Sequence, residues 1–247
     1  MPISVAGKVV IITGGVGALG AAMARRLVGE GARVVVADIR DGSELVAQLR
    51  GPGEARFVRV DVGDEAETLR LAEQTLGAYG RIDVLINNAG IITPKPFAEI
   101  SLTEWRTRLR ANLDGAFLCT KAVLPVMREQ RRGRIINIGS DTVWMGTPGF
   151  AHYVASKGGL LALTRALASE LGPLGITSVL VTPTLLDTPG TRQVFLQDHF
   201  HYVLSHTPLG RFGTPDDVCG LIVFLCSDDA DFINGSAINI GGGISMH

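Results

Sequence analysis

Tyr153 and Lys157 stand four residues apart in YVASK, a spacing that puts both side chains on one face of a helix. A free phenol titrates near 10, and a cation a few ångströms away lowers it by roughly 1 to 3 units, within reach of proton exchange near neutrality. Taken alone, such a pair is most often just an exposed stretch of helix. Its chemistry depends on its company.

A second constellation lies near the N-terminus. Thr13-Gly14-Gly15-Val16-Gly17-Ala18-Leu19-Gly20 follows an apolar run and leads into AAMARRLVGEG. A glycine-rich turn between strand and helix lets backbone N–H groups and the positive helix end approach a pyrophosphate. Asp38 closes the next apolar run, where a carboxylate accepts hydrogen bonds from adenosine ribose hydroxyls. A 2′-phosphate there would meet like charge. Two unit charges about 4 Å apart repel by roughly 4 kcal/mol at an effective dielectric near 20, or about a thousandfold in affinity. No Lys or Arg stands within residues 14–20 to compensate, and Arg40 is near enough only to soften the effect. NAD is therefore the expected cofactor. His152, His199, His201 and His206 match no usual zinc spacing, so no metal is expected.

The elements that must carry these groups follow from periodicity. Short β-branched runs at Lys8–Ile12, Arg33–Ala37, Ala55–Val60, Asp83–Ile86, Arg134–Ile138, Ile176–Val181 and Ala237–Ile240 alternate with helical patterns. Strand alternating with helix implies α/β architecture: a doubly wound parallel sheet, with helices on both faces and ligands at the carboxyl ends of its strands. No repeat or linker divides the chain, so residues 1–247 form one expected domain. Within it, residues 184–208, rich in Thr, His, Phe and Pro, are expected to form a substrate loop. Leu113–Met127 and Ala151–Gly172 are apolar on more than one face, which calls for a partner subunit over the remainder.

Composition narrows the class. Hydrophobic residues make up 46% of the chain, charged residues 19%, and the net charge is -1, which argues against nucleic-acid binding and disorder. Arg128, Arg131, Arg132 and Arg134 form the tightest basic cluster, placed as helix-end charges would be. Cys119, Cys219 and Cys226 lie in apolar stretches and cannot all pair. No run reaches the length of a membrane span and no leader pattern opens the chain, so a cytoplasmic location is expected.

From Lys8 to Gly243 the chain resembles the short-chain dehydrogenase/reductase family, in its single-domain branch. Thr13–Gly20 resembles that family's TGxxxGxG turn, Asp61-Val62 its adenine-contacting pair, and Asn87-Asn88-Ala89-Gly90 its NNAG segment. Asn112, Ser140, Tyr153 and Lys157 fall where the family carries its catalytic tetrad. The resemblance implies a seven-stranded Rossmann-type fold and a homotetramer. It gives Tyr153 the acid/base role, Ser140 a hydrogen bond to the substrate oxygen, and Lys157 the nicotinamide ribose. Asn112 would support a proton-relaying water. The same resemblance assigns the cofactor to Gly14, Gly17, Leu19, Asp38, Asp61, Val62, Asn88, Ala89, Gly90, Tyr153, Lys157, Pro183, Leu186 and Thr188.

The chain departs from the family in places. Ala18 replaces the middle glycine of the turn, Thr184 the glycine of the usual Pro-Gly, Val179 an asparagine and Gly241 an aspartate. For substrate, Ser140, Trp144, His152, Tyr153, Leu185 and Phe195 are the expected contacts, largely apolar or aromatic and without a basic cluster for a CoA or phosphopantetheine group. That points to a small hydrophobic or aromatic secondary alcohol and its ketone. The alternatives are a 3-oxoacyl thioester reductase and an NAD-sensing binding protein.

Overall fold

The computed structural model describes residues 3–246; residues 1 and 2 and the terminal His247 lie outside that range. Each strand starts or stops within a residue or two of its apolar run. The elements alternate β1 (Val9–Thr13), α1 (Ala18–Gly29), β2 (Arg33–Asp38), α2 (Ser43–Gln48), β3 (Glu54–Arg59) and α3 (Glu65–Tyr79). They continue with β4 (Val84–Asn87), α4 (Leu102–Leu109), α5 (Gly115–Gln130), β5 (Gly133–Ile138), α6 (Thr142–Met145) and α7 (Ala151–Leu171). The last are β6 (Ile176–Pro183), α8 (Pro189–Val194), α9 (Gln197–His206), α10 (Pro215–Cys226) and β7 (Ala237–Ile240).

The strands form one seven-stranded sheet in the order β3-β2-β1-β4-β5-β6-β7. Every neighbouring pair is parallel. Successive strand residues face opposite sides, and here both sides are covered. Val10, Ile12, Val34 and Val36 pack with Met23 and Leu27 of α1 and Ile222 of α10. Ile11, Val35, Leu85 and Ile135 pack instead with Leu71 of α3 and Val123 and Met127 of α5. Burial on both faces explains why β1 and β2 carry the unbroken apolar runs VVII and VVVA. Strand order reverses between β1 and β4, and the crevice at their carboxyl ends is where such sheets bind ligands.

One local reading needs correction. The four arginines do not act together as helix-end charges: Arg128 alone stands in the last turn of α5. Arg132 pairs with Asp228 and Asp231 at 2.7 and 2.8 Å, and Arg134 with Asp231 at 2.9 Å, which ties β5 to the segment after α10. Residues 184–208, expected as a substrate loop, are built largely of two short helices. Thr188 caps α8 by accepting from Thr191 N at 3.1 Å, Pro189 supplies a ready-made first turn, and α9 follows.

Candidate active site

A cavity of about 670 Å³ opens at the carboxyl ends of the strands, within the range of small-molecule sites. One end is built by the glycine turn. Gly14 has φ +62°, and a Cβ on it would lie 2.7 Å from Ala89 Cα. That close approach lets Asn88 Nδ2 donate to Thr13 O at 2.9 Å and Gly14 O at 3.0 Å, while Thr13 Oγ1 accepts from Asn88 N and Ala89 N. Gly20 is as constrained: its Cβ would stand 2.4 Å from Gly14 O. The turn and the Asn88–Gly90 segment are thus bolted together.

α1 begins here with no side-chain cap on Gly17 and no acidic residue in its first turn. Its first N–H groups and positive dipole end face the cavity, a cradle that fits a pyrophosphate. Ala18, the departure from the glycine pattern, lines the cavity as an exposed first residue of the helix.

Asp38 ends β2 with 5% exposure and lines the same end. Its carboxylate is already engaged. Arg40 donates to it from N at 3.0 Å and from Nε and a guanidinium nitrogen at 3.2 Å, and Val16 N donates at 3.0 Å. Arg40 therefore does more than soften the charge; it neutralises it at close range. Its side chain is 61% exposed, so it can swing aside at little cost and leave Asp38 free to accept from a ribose. Asp61 and Val62 also line this end, with Asp61 paired to Arg110 at 2.9 Å.

The other end gathers the proton-transfer groups. α7 buries His152, Tyr153, Ser156, Lys157, Leu160 and Thr164 on one face, so Tyr153 and Lys157 both point at the strand ends. Tyr153 lines the cavity at 8% exposure. Lys157 Nζ donates to Ile138 O at 2.7 Å and lies 5.8 Å from the Tyr153 ring centre. Ser140, two residues beyond the end of β5, lines the cavity and accepts from Thr142 N at 3.2 Å and Thr142 Oγ1 at 2.9 Å.

Asn112 sits in a single π-helical turn, Arg110–Asp114, between α4 and α5. Such turns often mark functional positions. Its Oδ1 accepts from Ile91 N at 2.7 Å; its Nδ2 donates to Ile91 O at 3.1 Å and Ser156 Oγ at 3.0 Å. Ser156 Oγ in turn donates to Tyr153 O at 2.7 Å. Asn112 is thus a brace between the segment after β4 and the turn of α7 that carries Tyr153. Gly90 keeps the approach open, because a Cβ there would lie 3.2 Å from Asn112 Oδ1 and 3.5 Å from Lys157 Nζ.

Electrostatics correct one expectation outright. Burial, opposed by Ser140 and helped slightly by the Asp141 charge, raises Tyr153 to about 12. Burial also brings Lys157 down to about 8, so it stays mostly protonated at neutral pH. Desolvation dominates, and the Lys157 ammonium is not among the groups that act on the phenol. The protein by itself holds Tyr153 as a proton donor, and ionising it calls for further positive charge.

Pro183, Leu185, Leu186, Thr188 and Phe195 line the cavity, along with Gly14, Gly17, Leu19, Asn88, Ala89 and Gly90. Thr188 spends its hydroxyl on the α8 cap. Two expected substrate contacts are placed elsewhere. His152 is 1% exposed and turned from the cavity toward α4, where burial and then the Arg108 charge hold its pKa low. Trp144 lies on α6, outside the residues lining the cavity. In their place stand Asp141, Phe150, His199 and Tyr202. Phe195 stacks on Phe150 at 5.5 Å and on His199 at 4.7 Å between ring centres. His199, Tyr202 and Val203 share an i, i+3, i+4 face of α9, a signal legible only once that segment is read as a helix. No group of three metal-ligating side chains occurs among the described residues.

Comparison with known proteins agrees with this architecture. Residues 15–245 match the family model described as enoyl-(acyl carrier protein) reductase. The chain is 38% identical over 244 residues to subunit BbsD of (2S)-[(R)-hydroxy(phenyl)methyl]succinyl-CoA dehydrogenase from Thauera aromatica, covering 97% of each. It is 36% identical to 3-oxoacyl-[acyl-carrier-protein] reductase FabG of Thermotoga maritima, covering 96% of this chain and 98% of that one. It is 37% identical to cyclopentanol dehydrogenase of Comamonas sp., with 97% and 98% covered. The crystal structure of gox2181 superimposes with a TM-score of 0.93 at 31% identity, over 98% of this chain and 97% of that chain. The chain belongs to the short-chain dehydrogenase/reductase family and is an oxidoreductase of that class.

Proposed function

We propose that the protein interconverts a small hydrophobic or aromatic secondary alcohol and its ketone, with NAD as cofactor and Tyr153 as acid/base. The observation that carries this reading is the position of Tyr153. It lines, together with Ser140, a cavity that has an uncapped helix N-terminus and Asp38 at one end and Phe150, Phe195 and Leu185 at the other.

Bound nicotinamide supplies or accepts the hydride. The chain's own residues handle the proton. In reduction, the Tyr153 hydroxyl gives its proton to the ketone oxygen while Ser140 holds that oxygen by a hydrogen bond. In oxidation, the ionised phenol takes the proton back. Lys157 contributes positive charge on the same side, Asn112 fixes the α7 turn, and the aromatic wall excludes water. The name of cyclopentanol dehydrogenase supports a small secondary alcohol, and that of BbsD supports a benzylic hydroxyl, there carried on a succinyl-CoA thioester.

The two arginines that line the cavity, Arg40 and Arg110, pair with Asp38 and Asp61 at the adenosine end. Among the described residues no lysine or arginine lines the substrate end to meet an acyl-carrier phosphate. On the same reading the enzyme works in the cytoplasm as a homotetramer. Supports are its three buried free cysteines, the absence of any membrane-length apolar helix among the described residues, and a half-exposed Phe117 on the outer face of α5.

Initial rates with benzylic and cyclic secondary alcohols, their ketones and a 3-oxoacyl thioester, each with NAD and NADP cofactors, test the reading. Alcohol turnover at least about tenfold better with NAD is expected, equivalent to 1.4 kcal/mol of discrimination. NADP-dependent turnover of the thioester alone would assign the protein to lipid synthesis instead. NAD binding with no turnover would leave a sensor.

A further inference from the structure

The cavity wall between Ser140 and Phe150 contains a charged group that proton transfer does not use. Asp141 is 3% exposed and lines the cavity. Its N–H donates to Pro183 O at 3.2 Å, prolonging the β5–β6 ladder by one residue and fixing the side chain at the strand ends beside Ser140. Thr184 stands beside the carboxylate and, with the Thr142 and Asp141 backbone N–H groups, favours its ionised form against burial. Position 184 is where the family usually has glycine, so the Asp141–Thr184 pair exists only because this chain departs from its pattern.

One carboxylate oxygen, Oδ2, is buried with no donor at hydrogen-bond distance among the described residues. Thr147 Oγ1, on the same wall, is likewise without a partner. Burial pushes Asp141 up to about 6, which still leaves it mostly ionised at neutral pH, and no cation is among the groups that act on it. A buried anionic acceptor left unsatisfied is costly, and the cost is recovered when a donor arrives. Among the described residues, Asp38 and Asp61 are the other acidic side chains on the cavity, and each already has an arginine.

We propose that Asp141 determines substrate specificity by accepting a hydrogen bond from a second donor, a hydroxyl or amino group, that the substrate carries close to its reacting carbon. The substrate is then an apolar or aromatic secondary alcohol with one additional donor rather than a plain hydrocarbon alcohol. This inference rests on the alcohol and ketone reading given above.

The test compares kcat/KM with NAD for three probes: 1-phenylethanol, 1-phenylethane-1,2-diol and 2-amino-1-phenylethanol. In the unmodified protein at least one donor-bearing probe is expected to exceed 1-phenylethanol by about tenfold to a hundredfold, the range of a hydrogen bond to a charged group; which one separates hydroxyl from amino recognition. Asp141→Leu removes the acceptor and is expected to abolish that preference. Asp141→Asn keeps the shape and the Thr184 contact but presents an amide N–H to the substrate, and it is expected to lose the preference as well. NADH binding by fluorescence identifies any variant that fails to fold, and Asp141→Asn then decides the matter alone. Turnover without a donor preference in the unmodified protein, or with the same preference in a folded variant, overturns the role of Asp141. No turnover of any probe overturns the dehydrogenase reading beneath it.

Discussion

The two ends of the cavity are held in different ways. At the coenzyme end, backbone touches backbone: Gly20 leaves no room for a methyl against Gly14 O, and Asn88 clamps the turn by two hydrogen bonds. At the substrate end, side chains stack on side chains: Phe195, in the link between short helices α8 and α9, packs against Phe150 and against His199 of α9. The first arrangement accepts one residue type at each position. The second accepts many, provided volume is kept. A family that shares a cofactor and varies its substrate needs just this division, and Tyr153 stands where the two ends meet.

Removing the Tyr153 hydroxyl is the largest change that junction can undergo. Tyr153→Phe is expected to lower kcat by about 10²- to 10⁴-fold, the usual worth of a positioned acid or base, while NADH binding by fluorescence persists. Because burial holds the phenol up to about 12, alcohol oxidation, which needs the ionised form, should accelerate as pH rises. Ketone reduction needs the protonated form and should slow. pH profiles of initial rate in both directions check this, and a flat oxidation profile would deny Tyr153 the base role.

Gly20→Ala probes the rigid end. A Cβ placed 2.4 Å from Gly14 O forces the turn to move. Overpacking of this kind costs about 1–3 kcal/mol, with each kcal/mol worth about 2–4 °C in Tm for a chain of this size. A Tm lowered by several degrees together with weaker NADH binding is expected. An unchanged Tm would show that the turn is more pliable than its contacts imply.

Phe195→Ala probes the adaptable end and should be milder. Loss of the stacking surface is expected to raise KM for an aromatic alcohol by about tenfold, the equivalent of 1.4 kcal/mol, with kcat and NADH affinity little changed. Steady-state kinetics read the split. A fall in kcat comparable to that of Tyr153→Phe would mean that α8 and α9 position the reacting groups themselves, and the contrast between the two ends would fail.

The same contrast explains what could be read in advance. Strand positions, the glycine turn, Asp38 at the end of β2 and the shared face of Tyr153 and Lys157 were legible because each depends on near neighbours in the chain: a period of two, a period of 3.6, or a residue that alone permits a backbone path. Residues 184–208 hid two helices, because a six-residue helix begun by Thr188 and Pro189 is too short to display a period. His152 adjoins Tyr153 in sequence and Trp144 is aromatic, yet neither reaches the cavity, since the direction of a side chain depends on how its helix is turned against the rest.

The sequence alone therefore determined the doubly wound sheet, the coenzyme turn and the residues able to move a proton, all of them products of local spacing and backbone permission. Tertiary structure alone decided the charge states and the partners. Burial keeps Tyr153 protonated, Arg40 folds over Asp38, and Asp141 stands beside Thr184 across two strand ends while its Oδ2 stays without a donor. Desolvation and contact depend on everything that surrounds a group, and most of what surrounds these groups lies far from them along the chain.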